Sequence, residues 1–198
     1  NIDSLVKRSP KTADFPDDPS VVLLEDNKYY VHPEGGSECL REMLVRVLTQ
    51  DGIDNWKEVN LGDVEIEKAV SIKANGTEVR ADESDGSLVF KTLQEGDFVY
   101  MRWHEYSMEG GRFLKHFEHR ADFDGDIPYK LIRFSVHVPK DYTLNYKANN
   151  MPKDPIKRQT EEGSIYEWKQ ENLTAIKTES SMPDFDEVGK FVQVTSID

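Results

Sequence analysis

Four groups of residues have the types and spacing that chemistry requires. Cys39 is the single cysteine, and it follows Gly35-Gly36-Ser37-Glu38. If the apolar stripe after it were helical, the thiol would sit at a helix N-terminus, where the dipole lowers its pKa as a nucleophile needs. If the segment is a strand, Cys39 is a small core residue on one face with Met43, Val45 and Val47. A dyad also needs an oriented imidazole, and His32, His104, His116, His119 and His137 stand in no recognisable motif. Glu38 and Glu42 disfavour a thiolate, so the core reading is preferred. Asp122-Phe123-Asp124-Gly125-Asp126 resembles the first half of a calcium loop, with the hard oxygens of Asp122, Asp124 and Asp126 on alternate residues. The bidentate Glu that should close such a loop is replaced by Ile132, so an acidic turn is the preferred reading of this candidate metal set.

The other two groups lie on one stretch, Gly96–Ala121. In His116-Phe117-Glu118-His119, a strand's period of two puts the two imidazoles on opposite faces, which separates what looks like a metal motif. Tyr100, Arg102, His104 and Tyr106 share one face of a predicted strand. Aromatic rings beside hydrogen-bonding groups suit a polypeptide or glycan ligand. The stretch reads as a hairpin, Phe98–Tyr106 against Phe113–Ala121, around a Met108–Arg112 connection containing Gly110-Gly111. Ser107 opposite Phe113 sets Arg102 against Glu118, Glu105 against Lys115 and Trp103 against Phe117. That register adds His116 and Glu118 to the candidate ligand face and sends Trp103 and Phe117 to the core. His104 beside His116 and Glu118 could hold zinc, but Arg102 repels a cation there. No ligand set is complete, so no metal or cofactor is expected.

The elements that must carry these residues are strands. Asn75-Gly76 between Val64–Lys73 and Thr77–Ala81 is a strong hairpin turn. Leu131–Val138 alternates Ile132, Phe134, Val136 and Val138 with Arg133, Ser135 and His137, and Pro139 ends it. Leu88–Thr92, Tyr142–Tyr146, Ser164–Lys169 and Val188–Thr195 are further strands, whereas Asn149–Gly163 reads as a polar loop. Cys39–Leu48 fits helix and strand alike by periodicity; its neighbourhood favours strand. Residues 1–19, with Pro10, Pro16 and Pro19, read as an extended arm, and 20–198 as one domain. The predicted fold is an all-β antiparallel sandwich of about ten or more strands with minor helical turns.

The 198 residues carry a formal net charge of −13, which disfavours nucleic acid and anionic lipid surfaces as partners. A single cysteine excludes a disulfide framework within the chain. No apolar run is long enough for membrane insertion as a helix. The chain begins at Asn1 without a visible signal peptide and is read as a piece of a longer protein.

The ordered landmarks resemble a known family. They are Val21-Val22-Leu23-Leu24, Arg46-Val47-Leu48-Thr49 followed by Asp51-Gly52, and Leu93-Gln94-Glu95-Gly96-Asp97-Phe98-Val99-Tyr100. They continue with Pro128, Arg133-Phe134-Ser135-Val136-His137-Val138-Pro139, Leu144-Asn145-Tyr146, Tyr166-Glu167-Trp168, Asn172-Leu173-Thr174-Ala175 and Val192–Ser196. This set resembles domain-of-unknown-function family 3857, an all-β domain that precedes transglutaminase-like, papain-fold domains in exported proteins, mostly of Bacteroidetes. The resemblance implies that Cys39–Leu48 is a strand and that the location is periplasmic or at the cell surface. It further implies a non-catalytic accessory module whose partner is an adjacent domain of the same chain. The family brings no catalytic residues. The alternatives are a stand-alone glycan- or peptide-binding module and, last, a hydrolase built on Cys39 or metal-bound histidines.

Overall fold

The computed structural model describes residues 1–108, 114–177 and 185–196. Its centre is an eight-stranded sheet built on β1 (Ser20–Val31) and β2 (Ser37–Val47). The other described strands are β3 (Glu58–Asn60), β4 (Glu65–Ile72), β5 (Glu78–Arg80), β6 (Asp82–Ser84), β7 (Ser87–Val89), β8 (Phe98–Ser107), β9 (Glu118–Asp122), β10 (Tyr129–Pro139), β11 (Asn145–Asn149), β12 (Ile156–Gln159), β13 (Gly163–Leu173) and β14 (Phe191–Thr195). The large sheet runs β12-β13-β10-β1-β2-β8-β4-β5, and two three-stranded sheets run β11-β14-β9 and β3-β7-β6. The all-β class is as expected, with one correction to its antiparallel character. β1 pairs parallel with β10, Asp26 beside Arg133 and Tyr29 beside Val136, because these strands are joined by most of the domain rather than by a hairpin. β12 lies where a polar loop is predicted; all four of its residues are exposed, so it has no apolar alternation for the sequence to display.

Both small sheets roof the same face of the large one. β11-β14-β9 supplies Ala121, Val192 and Val194 against Tyr29, Cys39, Phe134, Val136 and Trp168. β3-β7-β6 and its loops supply Leu88 and Phe90 against Val47, Val99, Met101 and Trp103. Cys39, Met43 and Val47 alternate on one side of β2, which places both roofs on that side. The opposite face is covered at one end, where Leu24, Leu44, Phe98 and Tyr100 receive Ile2, Leu5, Val6 and Phe15 of the arm.

The arm is therefore not extended. Ile2–Lys7 forms α1, because Ile2, Leu5 and Val6 fall on one helical face and the Asn1 side chain accepts the Asp3 N–H at 2.9 Å. Arg46 fastens the arm by donating to Ser9 Oγ at 2.9 Å and to the Pro10 carbonyl. After β2, a second short helix, α2 (Gln50–Trp56), turns the chain toward the β3-β7-β6 roof. Its Gly52 lies so close to the Pro19 carbonyl that a Cβ would stand 2.1 Å from that oxygen.

The predicted central hairpin is incorrect. β8 pairs with β2 and β4, so Arg102 faces Glu42 and Lys68, while Glu118 faces Thr195 on β14. Gly110-Gly111 and Phe113 lie outside the described residues. The error is a choice of partner, since β8 finds opposite charges in either arrangement. The facing of the strand is as predicted: Trp103 is 6% exposed in the core, and Phe117 is buried in the other cluster. Replacing Trp103 by Ala should cost about 3–5 kcal/mol in urea unfolding, whereas Tyr106→Ala, at the exposed end of the same strand, should cost under about 1 kcal/mol.

Candidate functional site

The two roofs leave a seam, and the large sheet places polar side chains in it. On the roofed side β1 presents Asn27 and Tyr29 and β2 presents Cys39 and Arg41, with Asn27 opposite Arg41 and Tyr29 opposite Cys39. The Arg41 guanidinium lies in this seam. Its Nε is 2.8 Å from Glu105 Oε1, and its Nη2 donates to Tyr29 Oη at 3.1 Å. Glu105 also accepts the Trp103 indole N–H at 3.0 Å. From the roof, β9 points His119 down onto Tyr29: the rings are 4.4 Å apart, and Tyr29 Oη is 3.1 Å from Nε2. Phe134 packs on the same imidazole at 5.5 Å.

Two clefts open on this seam. The first, about 430 Å³, is lined by Tyr29, Cys39, Arg41, Glu105, His116 and His119 among others. The second, about 290 Å³, is lined by Glu25, Asn27, Arg41, His119, Asp122 and Tyr129 among others. Protonation states follow from burial. Burial, with Arg41 beside it, lowers His119 from an ordinary 6.5 to about 4, so the ring is neutral. Burial pushes the Cys39 thiol up to about 11 despite Arg41, so it is not a thiolate at neutral pH. Burial raises the Tyr29 phenol as well.

The candidate ligand residues are divided between the two faces of the large sheet. Tyr100, Arg102, His104 and Tyr106 lie on the side away from the roofs. Tyr100 is buried under the arm and donates to Glu42 Oε1 at 2.7 Å. Arg102 pairs with Glu67. His104 bridges Glu38 and Glu67, the latter 2.6 Å from Nε2. Tyr106 stacks on His104 and donates to Glu65 at 3.1 Å. Burial opposes the charged His104 ring, yet its bonds to Glu67 and Glu38 leave the pKa raised. His116 and Glu118 are elsewhere, at the mouth of the first cleft, where His116 Nδ1 meets Ser196 Oγ at 2.9 Å.

The acidic turn is engaged with the protein. Asp124 accepts the Lys190 backbone N–H at 2.6 Å, and Asp122 pairs with Arg120 at 2.9 Å. Asp126 is exposed. Among the described residues no three His, Cys, Asp or Glu side chains converge as a metal set. Of the seam residues, Tyr29 and Arg41 had no part in the sequence reading, His119 entered only in a metal motif and Glu105 only as a cross-strand charge. Their one signal is parity, because Asn27 and Arg41 fall on the side of their strands that carries Cys39 and the other core residues.

Residues 85–177 match the model of DUF3857, described as a domain of unknown function with solved structure. The match covers just under half of the chain. The match spans β7 to β13 and leaves the earlier landmarks, Val21–Leu24 and Arg46–Thr49, outside it. No curated protein matches the sequence. In fold, the chain is similar to a provisionally named protease from Parabacteroides distasonis ATCC 8503, with a TM-score of 0.80 and 14% identity over 90% of this chain and 40% of that one. Two further solved structures are an aminopeptidase A of Legionella pneumophila in complex with aspartic acid (TM-score 0.44, 9% identity, 94% of this chain, 22% of that one) and an M1 zinc metallopeptidase of Deinococcus radiodurans (0.47, 12%, 93%, 45%). The chain spans less than half the length of each of these three.

The fold thus shifts two of its imidazoles in opposite directions, and titration should separate them. In NMR titrations His119 should protonate near pH 4, and His104 should protonate above the ordinary 6.5. His119 binds its proton more weakly folded than unfolded. Its contribution to stability is therefore full above about pH 6.5 and is lost as pH falls through about 4, on the order of 2–3 kcal/mol in all. His104 has the opposite sign: its contribution is present below about 6.5 and is lost as pH rises through its raised folded pKa. Urea unfolding of His119→Gln and His104→Gln across pH 3.5–9 checks both signs.

Proposed function

We infer that this chain is a non-catalytic β module of an exported multidomain protein, and that it positions or binds polypeptide substrate for an adjacent transglutaminase-like, papain-fold domain of the same chain. The observation that carries the reading is coverage: a fold of TM-score 0.80 to this one makes up 40% of a longer chain named as a protease. The family resemblance supplies the kind of neighbour and a periplasmic or cell-surface location. The seam geometry supports the same reading, because it is the Tyr29 hydroxyl that meets the His119 imidazole, while the Cys39 thiol is buried and protonated. The substrate class rests on the mixed character of the clefts, which offer aromatic rings beside Arg, Glu and His side chains.

Residues 1–198 alone should release no product from a casein or peptide substrate, and Cys39→Ser should change nothing in that assay. In the parent chain, removing residues 1–198 should lower kcat/KM on a polypeptide at least tenfold. The catalytic thiol of the neighbouring domain should still be alkylated by iodoacetamide. Unchanged kcat/KM after removal would refute the accessory role, and turnover by residues 1–198 alone would favour the hydrolase reading.

A further inference from the structure

Arg41 and His119 line both clefts of the seam and stand between them. They are joined through Tyr29, whose hydroxyl accepts from Arg41 Nη2 at 3.1 Å and lies 3.1 Å from His119 Nε2. We propose that the Arg41–Tyr29–His119 bridge is an acid-released latch: protonation of His119 breaks it, lifts the β9 edge from β1 and β2, and joins the two clefts into one open groove.

The chemistry of the relay sets the direction. Tyr29 accepts from Arg41, and its own proton can go to a neutral imidazole nitrogen of His119, with the Cys39 sulfur as the competing partner. An imidazolium has no acceptor to offer, and it would place a second cation beside the Arg41 guanidinium. Glu105 and Asp122 favour the imidazolium, but burial and Arg41 outweigh them, and each carboxylate is already paired with an arginine. From β1 come Tyr29, Asn27 and Glu25, with Glu25 accepting from Asn27 at 2.9 Å. From β2 come Arg41 and Cys39, and from β8 comes Glu105, already paired with Arg41 and bonded to the Trp103 indole. β10 offers the apolar Ile132 and Phe134 and the phenol of Tyr129, and from the turn after β9 comes Asp124, which accepts the Lys190 N–H. Along the roof strand itself, Asp122 pairs with Arg120, Glu118 lies 3.5 Å from His116, and both carboxylates are on the outward side. β14 pairs Val194 with His119.

Mechanically, β9 is open on one side, although the buried Phe117 and Phe123 flank it. It is five residues long and forms the edge of its sheet, held laterally by β14. Its attachment to the large sheet at this point is the His119 ring between Tyr29 and Phe134, with Ala121 and Phe117 on either side of it. Freeing one edge strand costs far less than opening the large sheet, so release is local rather than global. The latch does not depend on the accessory reading above.

Cys39 reports on the latch, because it is 3% exposed and forms part of the first cleft beside Tyr29. The test is its reaction with 4,4′-dithiodipyridine, which modifies thiols in acid, with rates normalised to glutathione at each pH. The native chain should react at least tenfold faster at pH 4 than at pH 7 while its far-UV circular dichroism stays unchanged. His119→Phe keeps a packed ring without the proton and should abolish the rise. Should that variant not fold, amide exchange in the native chain decides, corrected for intrinsic rates. Glu118–Asp122 should lose protection at pH 4 while β10 keeps it. A flat thiol rate, a rise that persists in His119→Phe, or loss of β9 and β10 protection together would each overturn the latch.

Discussion

Two three-stranded sheets roof one face of an eight-stranded sheet and leave a seam, and Arg41 is the charge that fills it. With 24% of its side chain exposed, the guanidinium relies in part on protein partners. Glu105 takes the Nε edge, while Tyr29 and Asn27 take the Nη groups, the latter at 3.4 Å. The partners come from β1 and β8 on either side of β2, so one side chain ties the three strands together beneath the gap. Trp103 is drawn into the same arrangement through Glu105, which links the core under one roof to the polar floor between both.

The unroofed face solves a different problem. Near the arm it is apolar and covered by Ile2, Leu5, Val6 and Phe15. Beyond the arm it becomes ionic. Lys169, Arg133, Asp26, Glu42, Arg102 and Lys68 lie in cross-strand succession over six strands. Most such exposed pairs contribute little to stability. Asp26 differs, being 2% exposed and held by Arg133 at 2.9 Å and Lys28 at 3.0 Å, so removal of either cation would weaken the compensation of a buried carboxylate. His104 plays a similar part further along, joining Glu38 of β2 to Glu67 at the irregularity in β4.

These environments set three of the histidines apart. His119 is buried among rings beside a cation and stays neutral, whereas His104 is gripped by two carboxylates and holds its proton more firmly. His137, stacked on Tyr30 at 4.5 Å, has its pKa lowered by burial. Nothing in the residue type anticipates this. Burial and the sign of the nearest charge set each ring.

Several features were legible from local sequence. Alternation in Phe98–Tyr106 and Leu131–Val138 marks strands and sorts their side chains by face, because side-chain direction has a period of two whatever the partner. That is why Trp103 and Cys39 are buried where alternation puts them. Asn75-Gly76 marks a true hairpin, since the turn needs positive φ at Gly76, here +84°. Partner choice was not legible. With 38 acidic residues against 25 basic ones, Arg102 finds a Glu opposite in more than one pairing, so charge matching could not separate a hairpin with β9 from ladders with β2 and β4. The seam was hidden for the same reason. Tyr29, Arg41, Glu105 and His119 are widely separated in the chain, and only the packing of β9 across β1 and β2 brings them within hydrogen-bonding distance. Strand identity and facing are properties of neighbouring residues, whereas pairing and the polar site arise from non-local contacts that many sequences of this composition could form.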